Sequence, residues 1–205
     1  MNTDTVSELP AGATPSGTKG RILVAALRAF ARHGFYGTSI RTIADGAGIN
    51  SATLYSHYAS KEDILTALVT LGSEALLARI EGALARAETT VDKLDAIIRA
   101  TATAHGQFPL LAAVTNAEFR ALSPEAAVAA TQATTASSAL LREVLTQGRD
   151  EGVFLSDDAE VTARVLEGMA LQIPRWVGAV SESVDEIADS FVAIARRIVV
   201  STAAN

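Results

Sequence analysis

Basic side chains that could bind a polyanion are concentrated near the start of this 205-residue chain. Residues 17–61 contain six lysines and arginines and one acidic residue, a charge of +5, whereas the whole chain carries −6. Such an asymmetry indicates that a short N-terminal module binds a polyanion. A chance clustering of charges on a solvated face accounts for the pattern equally well. The basic residues are Lys19, Arg21, Arg28, Arg32, Arg41 and Lys61.

Residue types that support catalysis or metal binding are missing or badly spaced. The chain has no cysteine, which excludes disulfides, cysteine-ligated zinc, iron–sulfur clusters and thiol catalysis. His33, His57 and His105 are far apart, and no Gly-x-Ser-x-Gly, phosphate-binding loop or His-Glu-x-x-His motif is present. Asp157-Asp158 has the position of a helix cap rather than of a catalytic carboxylate pair. The sequence therefore predicts no enzyme activity, no metal site and no cofactor.

The start of the chain has no basic segment followed by an apolar one, so we expect no signal peptide. The longest charge-free run, residues 101–117, contains His105, Gln107, Pro109 and Asn116, which makes it a poor membrane span. Hydrophobic residues make up 49% of the chain and aromatic residues only 5%, so small alkyl side chains must fill the core. We expect a soluble, cytoplasmic protein without membrane contacts.

Apolar residues recur at helical spacing and show no strand alternation, which predicts an all-α fold. Residues 1–17 are rich in Thr, Ser, Gly and Pro and predict a flexible arm. Turn and capping residues then delimit the helices, with Pro174 expected to kink one of them. The first predicted helix runs from Lys19 to Gly34, the second from a cap at Thr38 or Ser39 to Gly48, and the third from a cap at Asn50 to about His57. The fourth follows a cap at Ser60. The fourth and later helices are predicted near residues 61–87, 91–106, 109–121, 124–150, 158–179 and 184–201.

The stretch SIRTIADGAGINSATLY at residues 39–55 has the spacing of a helix-turn-helix. The small Ala44 allows close approach of the second helix, and Gly48 suits a turn that needs a positive φ. Ile49 and Leu54 would hold the third helix of the chain against the first two. A steep crossing of this kind lets one helix enter a major groove. An αα-hairpin of an ordinary helical protein would show the same spacing.

The hairpin is flanked by FARHGFYGT at residues 30–38, by TLYSHY at 53–58 and by SKE at 60–62. Over residues 22–65 this combination closely resembles the N-terminal domain of TetR-family transcriptional regulators. Ala52 stands where the family often has glycine, and Tyr58 stands where phenylalanine is usual. The resemblance implies a three-helix DNA-binding domain at 18–64, followed by a helical effector-binding and dimerisation domain at 65–205.

Candidate DNA contacts lie on the hairpin and just after it. Hydroxyls, lysines and helix N-termini usually hold phosphates, and the resemblance implies that role for Thr53, Tyr55, His57 and Lys61. The third helix lacks Arg, Lys and Gln. We therefore expect base reading by Arg41, which can pair with guanine, and by the residues of the third helix, with help from DNA shape and from the arm carrying Lys19 and Arg21. Ala52 or a threonine methyl can touch a thymine methyl. The alternatives are that Tyr55 is hairpin core, His57 a surface residue and Arg41 a solvated charge. The full candidate set is Thr38, Arg41, Thr42, Ser51, Ala52, Thr53, Tyr55, His57 and Lys61.

Beyond residue 65 the resemblance is weaker and implies an apolar effector pocket between helices. Bulky residues with a few polar groups are typical of such pockets, although for each candidate taken singly plain core is the commoner role. We interpret His105 as a hydrogen-bonded interior or rim histidine, and Trp176 as the best single pocket residue. Residues 105–124, HGQFPLLAAVTNAEFRALSP, faintly resemble actinobacterial regulators that sense acyl thioesters. The candidates are Leu68, His105, Phe108, Leu111, Val114, Asn116, Phe119, Met169, Gln172, Ile173 and Trp176.

Two apolar stripes near the end of the chain are wide enough to supply both core and a dimer interface. They consist of Val161, Val165 and Met169, and of Ile187, Phe191, Ile194 and Ile198. The resemblance thus implies a homodimeric repressor that binds a palindromic duplex DNA operator and is released by a small, largely apolar effector. The competing hypothesis is a helical scaffold that has kept the hairpin but lost its affinity for DNA.

Overall fold

Every regular element of the structure is helical. The computed structural model describes residues 8–155, 158–177, 179 and 181–199, and no strand occurs among them, which confirms the predicted all-α fold. No helix in these ranges combines the length and apolarity needed to span a membrane. The helices are α1 (Gly17–Gly37), α2 (Ile40–Gly46), α3 (Ser51–Tyr55), α4 (Lys61–Leu84), α5 (Thr90–Gln107), α6 (Pro109–Glu118), α7 (Pro124–Ala130), α8 (Gln132–Asp150), α9 (Ala159–Ala170), α10 (Ile173–Trp176) and α11 (Val184–Val199), with a 3-10 turn at Phe119–Ala121.

The chain forms two compact units, each with its own apolar core. The first unit comprises the described residues up to Ala75 together with Phe108–Ala133, and it contains the hairpin and also α6 and α7. The second unit comprises Leu76–Gln107 and the described residues from Thr134 onwards. The functional boundary expected between residues 64 and 65 stays a prediction.

In the first unit, α1 packs against α2 and against α6. Ile22, Leu27 and Phe30 of α1 are at most 1% exposed, and Leu111 and Val114 of α6 belong to the same buried cluster. Fully burying a side chain of this size contributes about 1.5–3 kcal/mol. The helix α6 is therefore a structural part of the unit that carries the hairpin.

The described part of the predicted arm, residues 8–16, is folded against α1. Leu9 is 4% exposed within the apolar core, and Arg28 Nε donates to both carboxylate oxygens of Glu8 at 2.9 Å. A Cβ atom placed on Gly20 would lie 2.2 Å from the carbonyl oxygen of Pro15, so the segment passes very close to α1. The polar composition of the arm gave no indication that Leu9 is buried and that Glu8 forms an ion pair. The rest of the predicted arm lies outside the described residues.

Side-chain caps begin several helices where the sequence predicts them. Ser39 Oγ accepts from the N–H three residues ahead at 3.0 Å, and Asn50 Oδ1 does the same at 2.8 Å. Ser60 and Asp63 exchange two backbone-to-side-chain bonds of 3.0 Å at the start of α4. Asp158 caps α9, whereas Asp157 lies outside the described residues. Each such cap contributes about 1 kcal/mol to stability.

Two long predicted helices are divided in the structure. The helix expected at 124–150 breaks at Thr131, which has ψ of 0° and whose hydroxyl donates to Ala127 O at 2.7 Å. A threonine that bonds back to the carbonyl four residues earlier often bends a helix. The helix expected at 158–179 is α9 followed by α10, and Pro174 lies in the first turn of α10, where its missing N–H costs nothing. The prediction of a Pro174 kink within one continuous helix is therefore wrong.

The ends of the other helices differ from prediction by a few residues. The stretch expected to be helical at 109–121 ends in the 3-10 turn, and α3 stops at Tyr55 rather than His57. In α1, the predicted stop at Gly34 coincides with a φ of +70° that interrupts the helical backbone. The predicted end of the last helix at residue 201 lies outside the described residues.

The second unit is built around α5, which packs against α9, α10 and most extensively against α11. Arg196 Nε of α11 donates to Asp95 Oδ1 of α5 at 2.8 Å. Phe154 fills the space beside Gly148, where an added Cβ would lie 2.0 Å from the ring. These contacts fix α5, α8 and α11 within one apolar core.

Candidate functional site

The helix-turn-helix is held together by buried apolar side chains. Ile43, Ala44 and Leu54 are at most 1% exposed, as the predicted inward face requires. Gly48 has a φ of +67°, a region that L side chains rarely adopt, and Ile49 N donates to Ala44 O at 3.0 Å across the turn. The sequence therefore builds a closed hairpin whose remaining side chains are left for other contacts.

Most of the predicted DNA contacts are accessible on this hairpin. Arg41 Nε lies 3.8 Å from Asp45 Oδ2, and both side chains are strongly exposed. A pair of this kind contributes little, so the guanidinium is available to a phosphate or a base. The assignment of these residues to DNA stays a prediction. Arg41, Thr42, Ala52 and Tyr55 are exposed, and Ser51, Thr53, His57 and Lys61 are half-buried.

Thr38 is the member of the predicted set that the structure places away from the surface. Its side chain is 2% exposed, and its hydroxyl lies 2.8 Å from Gly34 O and 3.1 Å from Ala29 O. The hydroxyl therefore binds carbonyls at the end of α1, which leaves Ser39 as the cap of α2. This is a correction to the interpretation of Thr38 as a direct DNA contact.

The ammonium group of Lys61 has two partners within the first unit. Lys61 Nζ donates to Phe35 O at 2.5 Å and to Thr38 O at 2.8 Å, and it lies 4.2 Å from the centre of the Phe35 ring. An ammonium has three donor hydrogens, so one is left for a phosphate. Lys61 thus joins the first turn of α4 to the end of α1 while remaining a candidate DNA contact.

Lys61→Ala is expected to lower both the stability of the protein and its affinity for every duplex. Losing hydrogen bonds to a charged donor costs about 1–3 kcal/mol, and losing one phosphate contact lowers the salt slope of binding by about 1. Chemical denaturation and binding titrations over a range of salt concentrations measure the two effects. The exposed Lys19 provides the control variant, Lys19→Ala, for stability. An unchanged salt slope would remove Lys61 from the DNA contacts, and an unchanged free energy of unfolding would contradict its structural role.

Sequence reasoning missed Tyr36, which lies in the last turn of α1, after the break at Gly34. Its side chain is 82% exposed, and its ring packs edge-on against Phe35 at a centroid distance of 5.4 Å. The neighbouring carbonyl of Phe35 is the one that Lys61 binds. An exposed aromatic residue between Gly34 and Gly37 is the signal in the sequence that points to it.

A second missed residue is Glu62, which the sequence analysis includes only as part of the Ser-Lys-Glu run at residues 60–62. Ser123 N donates to Glu62 Oε1 at 2.6 Å, which joins α4 to the start of α7. This hydrogen bond lowers the pKa of the Glu62 carboxyl. The two partners are 61 residues apart, so no local pattern could reveal the contact.

The predicted effector residues are divided between the two units. Leu68, Leu111 and Ile173 are at most 3% exposed and belong to apolar cores, whereas Gln172 and Trp176 are exposed. The assignment of the set to an effector therefore stays a prediction. The first unit contains Leu68, Phe108, Leu111, Val114, Asn116 and Phe119, and the second contains His105, Met169, Gln172, Ile173 and Trp176.

A small cavity of about 30 Å³ lies within the second unit. Its walls are mainly apolar, and Thr101 and Glu167 add polar side chains. Two water molecules would fill this volume, since one needs about 10–15 Å³ measured in this way. Met169 is a member of the predicted effector set that lines it. The lining residues are Ile97, Ile98, Thr101, Leu141, Leu166, Glu167, Met169, Ala170, Phe191 and Ala195.

His105 is hydrogen-bonded within the second unit, in agreement with its interpretation as an interior or rim histidine. His105 Nδ1 donates to Ala170 O at 2.9 Å, so the proton of the neutral ring is fixed on Nδ1. Burial lowers the pKa of His105, and the hydrogen bond to Ala170 opposes this shift in part. The folded protein therefore favours the neutral imidazole.

Acidification is expected to destabilise the protein through His105. Because its pKa is lower in the folded state, the stabilisation is complete above the ordinary histidine pKa of about 6.5 and is lost as the pH falls below it. Denaturation measured between pH 7 and pH 5 should show a decline that is smaller in His105→Gln. Replacing the exposed His33 by glutamine should leave the decline unchanged. An equal decline in wild type and His105→Gln would contradict this account.

The two predicted apolar stripes divide into a buried and an exposed part. Ile187 and Phe191 lie in the core of the second unit, and Met169 is half-buried. Four aliphatic side chains on α9 and α11 are instead 38–54% exposed. Large apolar side chains exposed at successive turns of a helix, as at 161 and 165 and at 194 and 198, are typical of protein interfaces. These residues, Val161, Val165, Ile194 and Ile198, are called the aliphatic face below.

Two family models match the sequence. Residues 22–68 match the model described as bacterial regulatory proteins of the tetR family, and residues 87–199 match the tetracyclin repressor-like C-terminal domain. The second match alone covers more than half of the chain. The chain belongs to the TetR family. It is accordingly a DNA-binding transcriptional regulator.

Known TetR-family proteins resemble this regulator over most of its length. The transcriptional repressor KstR2 of Mycobacterium tuberculosis is 29% identical over 161 residues, which are 77% of this chain and 80% of KstR2. A tetR-family structure from Rhodococcus RHA1 is 27% identical with a TM-score of 0.85, and the alignment covers 92% of this chain and all of that one. The structure of AibR in complex with isovaleryl coenzyme A and operator DNA has a TM-score of 0.76 at 24% identity. The alignment covers 84% of this chain and 95% of AibR, and at this identity it shows a similar fold only.

Proposed function

We propose that this TetR-family regulator is a homodimeric repressor that leaves its palindromic operator when a small, largely apolar effector binds. The main support for the proposal is the distribution of buried and exposed side chains on the helix-turn-helix hairpin. Its apolar side chains are buried, while Arg41, Ala52 and Tyr55 are exposed on the most basic part of the chain. In this proposal residues 18–64 bind DNA, and residues 65–205 bind the effector and form the dimer. The protein acts in the cytoplasm by binding rather than by catalysis.

The aliphatic face supports a dimer. Its four side chains lie on α9 and α11 and are 38–54% exposed in the single chain although they are aliphatic. Pairing this face with its copy across a two-fold axis removes the side chains from water and presents two hairpins to two half-sites. A palindromic operator follows from that symmetry.

The effector class follows from the cavity and from the family. The cavity between α5, α8, α9 and α11 is mainly apolar, but pockets that hold metabolite-sized ligands measure about 300–1,000 Å³. An effector chain that enters must therefore separate these helices, and it selects a conformer that is rare in the ligand-free protein. KstR2 is named a ketosteroid regulator, and AibR was solved with isovaleryl coenzyme A. Apolar acyl thioesters are accordingly the first effectors to test.

Selection of genomic fragments, followed by a mobility-shift assay, tests the proposal. We expect a complex that includes the promoter beside the protein's own gene and that weakens as the salt concentration rises. Ligand that co-purifies with the protein, identified by mass spectrometry, should dissociate this complex, because ligand and DNA oppose each other equally by linkage. Absence of any complex at low salt would contradict the proposal and would favour a helical scaffold that has lost its affinity for DNA.

A further inference from the structure

The outward side of α3 presents apolar groups where a DNA-reading helix usually presents long polar ones. Ala52 and Tyr55 are exposed, Tyr55 by 53%, and residues three apart on a helix lie on the same face. Leu54 points into the core and fixes the orientation of this face. The side of α3 that can enter a major groove therefore carries a methyl group and an aromatic ring.

Two of the polar side chains next to this face, those of Asn50 and Ser56, are engaged in local hydrogen bonds. Ser56 Oγ donates to Thr53 O at 2.7 Å, and Asn50 Oδ1 caps α3 by accepting from Thr53 N at 2.8 Å. Pairing with adenine needs both ends of an asparagine or glutamine amide, and pairing with guanine needs Arg or Lys. Residues 51–56 contain none of these long side chains, nor an acid that could accept from cytosine.

Thymine is the base that presents an apolar group, its 5-methyl, in the major groove. We infer that α3 selects its operator by contacts of Ala52 and Tyr55 with thymine methyl groups, at one or two base pairs in each half-site. The inference rests on the proposed DNA binding and adds to it the chemical feature of the base that is read. Arg41 on α2 is the residue of the hairpin that can pair with a guanine.

Replacing thymine by deoxyuridine in a selected operator tests the inference, because this change removes the methyl group and leaves every hydrogen-bonding atom in place. We expect affinity to fall about fourfold for one contacted methyl and about fifteenfold when the change is made in both half-sites. Thymine positions away from the contacts should tolerate deoxyuridine. Where cytosine replaces a contacted thymine, 5-methylcytosine should bind more tightly than cytosine, since it restores the methyl group.

Protein variants assign the effect to named side chains. At the thymine that Ala52 contacts, the Ala52→Gly protein should bind the thymine and deoxyuridine operators with equal affinity. At the thymine that Tyr55 contacts, the Tyr55→Ala protein should likewise show no preference for thymine over deoxyuridine. Ala31→Gly, an exposed substitution in α1, controls for the helix-weakening effect of glycine. It should keep the full preference for thymine.

Three results separate the possibilities. Equal affinity for thymine and deoxyuridine at every position would overturn the inference and leave the proposed function intact. A deoxyuridine penalty that persists in Ala52→Gly and in Tyr55→Ala would also overturn it, because the methyl group would then act through DNA shape. Failure of the wild-type protein to bind any duplex would contradict the proposed function itself.

Discussion

Replacing Val165 and Ile194 together by glutamate is expected to make the protein monomeric and to lower its operator affinity by at least about 100-fold. Both side chains belong to the aliphatic face and are exposed in the single chain. A charge placed in a closely packed apolar interface costs several kcal/mol, whereas on a free surface it costs little. Loss of the dimer removes the second half-site contact and with it the gain from bivalent binding. Sedimentation equilibrium and fluorescence anisotropy measure the two effects.

Ala193→Glu is the matched control for this variant. Ala193 is exposed on α11, and at 3.6 residues per turn it lies about 100° around the helix from Ile194 and about 140° from Ile198. The control should remain dimeric with wild-type affinity. If the double variant were a dimer with full affinity, the aliphatic face would not be the interface. If it were a monomer with full affinity, DNA binding would not need the dimer.

Leu54→Ala and Tyr55→Ala are both expected to weaken operator binding, but only Leu54→Ala should also destabilise the protein, although the residues are adjacent. Leu54 is completely buried, so its truncation should cost about 2–5 kcal/mol and abolish operator binding with the loss of the hairpin. Tyr55 is half-exposed, and its truncation should change the free energy of unfolding by no more than about 0.5 kcal/mol while weakening operator binding. Chemical denaturation and binding titrations of the two variants provide the comparison.

The pair of variants also tests how the hairpin is oriented. A stable Leu54→Ala protein that binds DNA normally would show that α3 is not held by the core in the manner described. A large loss of stability in Tyr55→Ala would place that ring in the hairpin core, which is the alternative that the sequence left open.

Local features of the first unit could be predicted because their causes are local. The caps at Ser39, Asn50 and Ser60 depend on a hydroxyl or amide that reaches a backbone N–H three residues away or less. The turn at Gly48 depends on one glycine with a positive φ. Sequence spacing records both kinds of feature directly.

Contacts between distant residues could not be predicted in the same way. The pairing of Glu62 with Ser123 and of Glu8 with Arg28 depends on the packing of elements, and the sequence shows only the charges. Thr38 has the residue type of a phosphate contact, but the bend at the end of α1 turns its hydroxyl inward. Lys61 is similar, since its two carbonyl partners become neighbours only when α4 meets α1.

Effector residues are hard to predict from sequence because apolar spacing is the same for a core and for a pocket. Leu68 and Leu111 have the periodicity of helix interiors, and the structure places them in the core of the first unit. The break between α9 and α10 had a visible signal in Pro174, but a proline in the first turn of a new helix and one that kinks a helix look alike in sequence.

The mass of the complex with a selected operator, measured by native mass spectrometry in dilute salt, tests the central claim most directly. We expect two protomers on each palindromic duplex, with both half-sites occupied. A complex that holds a single protomer, or free duplex with no protein bound, would contradict it.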